Sequence, residues 1–372
     1  MPTEHTLTTG DDETAAAATI VQNLLGNMRA GTAMQQGLLS IIPLFPANEQ
    51  IVKQTGFLPL ADALQQGLLT ITEQQQATVP ELQATSTAET PIVMLSGEQV
   101  VGGLQNRVLN ATILVAAKTV SHLPVTCVER GRWNPAYEAR ETTEATGAGS
   151  DQQSQTAQPL QRRSMELARM GRAQAFATED AAYAGLRKQH MKSVSTTLAA
   201  GGGYQSDQGM VWGEVSARMA KTGSHSPTHA MRALYREPVR AEQLAQTVAA
   251  LPRPDGALGF IVAIGNKIVG AEVFEDEALA LAYWEKLARS YALDALDAEQ
   301  SEKSSEATGT LDAAAGEHFL EQARTAKLSG YRSPGLGQDV RVTGKEVTGA
   351  GLVYGDAVVH LTLFAEEQPV AE

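Results

Sequence analysis

Apolar positions change their rhythm several times along the chain, and each rhythm predicts a different element. Residues 14–29 set Ile20, Val21, Leu24, Leu25 and Met28 at helical spacing behind Asp11, Asp12 and Glu13, carboxylates that suit the positive end of a helix; Gly31 is its stop. From about 38 to 134 the texture turns to short runs of Val, Ile, Leu and Thr broken by Gly, Pro, Asn and Asp, which predicts strands and tight turns. Candidate strands are 38–45, 68–72, 82–87, 92–95, 111–116 and 123–128, with a single helical turn at 61–66.

Residues 142–160, TTEATGAGSDQQSQTAQPL, are small and polar and bury too little to offset their ordering entropy, so they read as a linker. A second such stretch spans 298–316. Between them, 160–252 is expected to be helical. Val211, Trp212, Val215 and Met219 share a face behind the capping candidates Ser206 and Asp207, Ser226-Pro227 suggests an N-cap followed by a first-turn proline, and 240–251 suggests a further helix. Residues 257–274, ALGFIVAIGNKIVGAEVF, predict a hairpin about Gly265-Asn266-Lys267, where positive φ is easily adopted. A long helix over 276–297 follows, with Leu279, Tyr283, Leu287 and Tyr291 spaced at four, and strands return over 340–364.

The expected fold class is therefore α+β. It has a β-rich core, sandwich or barrel-like, with a helical middle region, a hairpin-plus-helix unit and C-terminal strands rejoining the core. The chain divides as 1–31 (acidic tail and amphipathic helix), 32–140 (β-rich core), 141–160 (flexible linker) and 161–297 (helical region with hairpin and long helix). The segments 298–316 (flexible loop) and 317–366 (C-terminal helix and strands completing the core) follow.

Composition narrows the function classes. A formal net charge of -13 over 372 residues argues against nucleic acid as the main partner, because phosphate neutralisation needs clustered Lys and Arg. No membrane span and no secretory signal is expected, since the first apolar run lacks a basic leader and the length to cross a bilayer. Cys127 is the one cysteine, which rules out an internal disulfide and a multi-cysteine zinc site and fits a reducing, cytoplasmic setting.

Chemistry concentrates in two polar clusters among apolar runs. The first is Glu98 with Gln105, Asn106, Arg107 and Asn110, in or beside turns; the second is Glu129, Arg132 and Trp133 within CVERGRW. Arg can clamp a phosphate through two parallel hydrogen bonds, Gln and Asn can read an amide or a base edge, Glu can accept a hydroxyl, and Trp can stack on a ring. The same side chains can instead bond to neighbouring turn backbone and to one another, with Glu129 reaching Arg107 across a sheet. Glu98 and Glu129 are also the pair that acid–base hydrolysis would use. Cys127 reads as an inert buried thiol, and His122 and His360 as core histidines or, alternatively, a pocket base. The seven histidines form no HExxH-type array, so metal ligands are not expected, and no GxSxG, Walker A or GxGxxG motif stands in the right context.

Gly97-Glu98, the run GGLQNRVLN over 102–110, Ile113-Leu114-Val115 and PVTCVERGRW over 124–133 together resemble the ADP-ribosylglycohydrolase- and rhodanese-phosphatase-associated protein family. The likeness continues through Arg163-Ser164, Asp207-Gln208, Val211-Trp212, Ser226-Pro227-Thr228, Gly270 to Phe274 and Ser290 to Leu296, and so covers most of 32–365. Gly103 is a departure, since Ala or another small residue followed by Lys is expected there, and the polar inserts after 140 and 298 look peculiar to this chain. The resemblance implies a role near NAD and ADP-ribose metabolism without assigning a reaction or a cofactor. The leading expectation is binding or processing of a nucleotide-like small molecule; the alternative is a non-catalytic scaffold whose helices hold a protein partner.

Overall fold

The computed structural model describes residues 10–74, 80–132, 176–300 and 311–366. The 141–160 linker, Trp133, Arg163 and Ser164 lie outside the described residues. Helix α1 (Gly10–Gly26) leads through β1 (Met28–Ala30) and β2 (Met34–Gln36) into the long β3 (Leu39–Pro46). A compact run follows: β4 (Leu58–Pro59), α2 (Leu60–Gln65), β5 (Leu69–Glu73), β6 (Glu81–Ser86), β7 (Ile92–Met94), β8 (Glu98–Val101), β9 (Arg107–Leu109), β10 (Ile113–Val115) and β11 (Val120–Cys127).

After β12 (Ala177–Ala181) come α3 (Ala184–Ala199), α4 (Gln208–Thr222), α5 (Ala233–Arg236) and α6 (Pro238–Ala249). Asp207 caps α4 through the Met210 N–H at 3.0 Å, as its position in the sequence suggests. Ser226-Pro227 does not start a helix. Ser226 Oγ accepts from the Ala230 N–H at 3.1 Å, and His229 takes φ 52°, which turns the backbone out of helical geometry. The hairpin β13 (Gly259–Ile264) and β14 (Lys267–Val273) forms about Gly265 as expected. Helix α7 (Glu277–Glu299), capped by Asp276, α8 (Ala313–Arg324) and the meander β15 (Lys327–Arg332), β16 (Gln338–Thr343), β17 (Val347–Tyr354) and β18 (Ala357–Ala365) complete the order.

The hairpin lies in the middle of a nine-stranded antiparallel sheet in the order β1-β3-β13-β14-β18-β17-β16-β15, with β2 on β3. Strand alternation sends successive side chains to opposite faces. Leu39, Ile41, Phe260 and Val262 meet α7 and the middle helices, whereas Ile42, Leu44 and Ile261 meet α1 and α8. The sheet is thus covered on both faces, and the fold is β-rich α+β. A six-stranded sheet, β12-β8-β9-β11-β6-β5, and a small sheet, β10-β7-β4, enclose a separate apolar core that includes Leu82, Val100, Leu109 and Phe176. No helix of the described residues is long and apolar enough to cross a membrane.

Candidate functional site

Glu98 and Arg107 stand on strands β8 and β9 rather than in turns, and both are buried. Arg107 does not reach Glu129. Its two terminal nitrogens grip Glu73 at the end of β5, at 2.7 and 3.0 Å, and Glu73 also accepts the Leu104 N–H. Glu129 instead takes Arg132 Nε at 2.8 Å, the Asn106 N–H at 3.1 Å and the Thr228 hydroxyl at 2.7 Å. Arg132 continues to Asn106 Oδ1 at 2.7 Å, and Gln105 donates to the Glu129 carbonyl while accepting from Cys127 Sγ. Gln105, Asn106, Arg107, Glu129 and Arg132 are therefore brought together. Each is at most 2% exposed.

The other two candidates belong to different sets. Asn110 Oδ1 accepts from Thr126 and lies 3.0 Å from His190 Nε2, while its amide donates to the Tyr204 carbonyl. Glu98 bonds Lys286, Thr178 and the Leu95 N–H, and it shares no hydrogen-bond partner with Glu129 among the described residues. Burial pushes the Cys127 thiol up, in keeping with an inert group. His360 is buried as expected, whereas His122 is exposed on β11. Among the described residues no group of three or more His, Cys, Asp or Glu could hold a metal ion.

A cleft of about 780 Å³ opens elsewhere, where the start of α3 meets the hairpin turn and the end of β18. Ile264, Ile268, Val269 and Phe364 give it apolar walls, and Lys188, Lys267, Asp294 and Glu366 give it charge. Asp294 of α7 accepts the Gly185 N–H at 2.9 Å and pairs with Arg218, fixing the first turn of α3. Phe364 carries the Arg187 guanidinium 5.5 Å from its ring centre. Behind it, Glu272 accepts Arg187 at 2.6 Å, Tyr291 at 2.8 Å and Thr362 at 3.2 Å on one oxygen, and His360 Nε2 lies 2.8 Å from the other. Burial pushes the Glu272 carboxyl up, but Arg187 and His360 outweigh it and hold it below the usual carboxylate range.

The model of the ARG and Rhodanese-Phosphatase-superfamily-associated Protein domain matches residues 27–364. The chain belongs to this family. No curated protein and no solved structure matches it. The segments Gly270 to Phe274 and Ser290 to Leu296 supply Glu272, Tyr291 and Asp294, which lie behind and beside the cleft. None of the seven described candidates lines that cleft. Sequence reasoning missed Arg187, Lys188 and Glu272. A lone carboxylate in the apolar run GAEVF was the available signal, since a buried charge requires a partner; nothing local marked Arg187 as that partner.

Proposed function

We propose that the chain binds a small nucleotide-like anion in the cleft beside α3, near the ADP-ribose chemistry that its family name connotes. The cleft's composition carries this reading: apolar walls suited to a ring stand beside Lys188 and Lys267, which suit phosphate, and the positive end of α3 adds to the field. The turn cluster then acts as a lock. Arg107, Arg132, Glu129, Gln105 and Asn106 spend their hydrogen bonds on one another and on Glu73, holding β5, β9 and the segment after β11 in register. The setting is cytoplasmic and reducing, where Cys127 stays a thiol.

The competing location is the turn cluster itself, with Arg107 and Arg132 on phosphate, Glu98 and Glu129 on hydroxyls, Gln105, Asn106 and Asn110 orienting, and Trp133 stacking. Thermal denaturation against ADP-ribose, NAD and mononucleotides separates the two. A ligand at about 100 times its Kd adds roughly 2.7 kcal/mol. Lys267→Glu, on an exposed side chain, is expected to abolish the shift and leave the unliganded Tm in place. Arg107→Ala strands Glu73 and is expected to cost about 3–5 kcal/mol while the ligand shift survives. A shift lost in Arg107→Ala and kept in Lys267→Glu moves the site to the turn cluster. No shift with any compound transfers the weight to a scaffold that holds a protein partner.

A further inference from the structure

Ala184, Lys188 and Lys192 recur every four residues on α3, which stacks them in one stripe running back from the helix start. Ala184 and Lys188 line the cleft, and Lys192 lies one turn further on. Two ammonium groups at this spacing repel, and an anion between them relieves the repulsion. The chain supplies one. Glu366, the residue after β18, sets Oε1 2.9 Å and Oε2 3.1 Å from Lys192 Nζ, with Oε2 3.2 Å from Lys188 Nζ. Burial pushes its carboxyl up, but the two lysines outweigh this and hold it below the usual range.

Both sides of this contact are anchored independently. Lys188 Nζ donates to the Ala365 carbonyl at 2.6 Å, and the Glu366 N–H donates to the Glu346 carbonyl at 2.8 Å. Lys188 therefore keeps an anchor when the carboxylate is neutralised, and the backbone of residue 366 keeps its place when its side chain is released. Two point-like cations converging on two oxygens at the edge of an open cleft is the arrangement in which Lys binds phosphate.

We infer that Lys192, at the edge of the cleft, joins Lys188 in a phosphate subsite that Lys267 faces from the hairpin turn, and that Glu366 is a resident competitor, displaced when a phosphate or pyrophosphate group arrives. The inference rests on the cleft reading above and adds which part of the ligand goes where, and what in the protein it must replace. A phosphate brings more charge than the single carboxylate it replaces, which favours the exchange. Glu366 would then set a threshold of ligand charge: a neutral nucleoside gains nothing from the lysines.

Calorimetric titration of the full chain at low salt, with inorganic pyrophosphate and with ADP, tests this. Glu366→Gln removes the competing charge and is expected to tighten pyrophosphate binding about tenfold, and the double variant Lys188→Ala/Lys192→Ala to abolish it. Equal pyrophosphate affinity in the wild type, Glu366→Gln and the lysine double variant overturns the subsite, as does a failure of Glu366→Gln to bind pyrophosphate. The cleft reading fails separately if ADP binds no more tightly than pyrophosphate, because the apolar walls then contribute nothing.

Discussion

Burial on α3 lowers the His190 pKa to about 4, with the Arg341 charge acting in the same direction, and its Nδ1 has no hydrogen-bond partner among the described residues. In the unfolded chain the imidazole takes up a proton near pH 6.5. As pH falls from about 6.5 to 4 the unfolded state binds the extra proton, so stability drops by roughly 3 kcal/mol over that window. Glu275 acts in the opposite sense. Burial raises its carboxyl to about 7, against a backbone hydrogen bond from Val358, so stability falls as pH rises from about 4.5 to 7. The two windows overlap, so the contributions largely offset each other in the wild type. Melting curves across pH 4–8 should show stability falling as pH rises in His190→Gln and rising with pH in Glu275→Gln, and unchanged profiles would show that neither group carries its burial penalty. The sequence marked the polar side chains around Asn106, Arg107 and Glu129 as needing partners, but could not name them. Glu73 and Thr228 are remote in the chain, and only the fold decides who faces whom.

Helices and strands were readable where the apolar pattern is strong. The α1 and α7 stripes repeat apolar residues at helical spacing, while the hairpin and closing strands, buried on both faces, read as near-continuous apolar runs. Strands β8 and β9 escaped because Glu98, Gln99 and Arg107 interrupt the apolar run; the charges are matched by Lys286 and Glu73 from other elements, not by water. Strand β12, ATEDA, carries no strand signal and is held by pairing with β8 and by the Tyr235 hydroxyl on the Ala181 carbonyl. Close approach also governs the hairpin. A methyl group on Gly259 would lie 2.1 Å from the Glu272 carbonyl oxygen, so Gly259→Ala must part β13 from β14. It is expected to cost more than about 2 kcal/mol in urea unfolding and to speed amide exchange along β13, and a near-neutral result would contradict the register drawn here.

Glu272 joins parts of the fold that no single sheet connects: β14 and β18 through its own strand pairing and His360, α3 through Arg187, and α7 through Tyr291. Glu272→Leu leaves Arg187 charged and buried without its carboxylate and is expected to cost about 3–5 kcal/mol. Adding Arg187→Met should recover most of that loss, because a matched apolar pair carries no desolvation penalty; a double variant as unstable as the single one would mean the cluster stabilises by more than charge matching. The same large sheet has a consequence for synthesis. Strand β3 finds its partner in β13, with Leu44 opposite Gly259, so on a ribosome adding about 5–20 residues per second an apolar strand stays half-paired for roughly 10–40 s. During that interval Ile41, Ile42 and Leu44 lie on a strand whose second edge is still open, so the nascent chain is most exposed to off-pathway strand pairing before the hairpin has emerged.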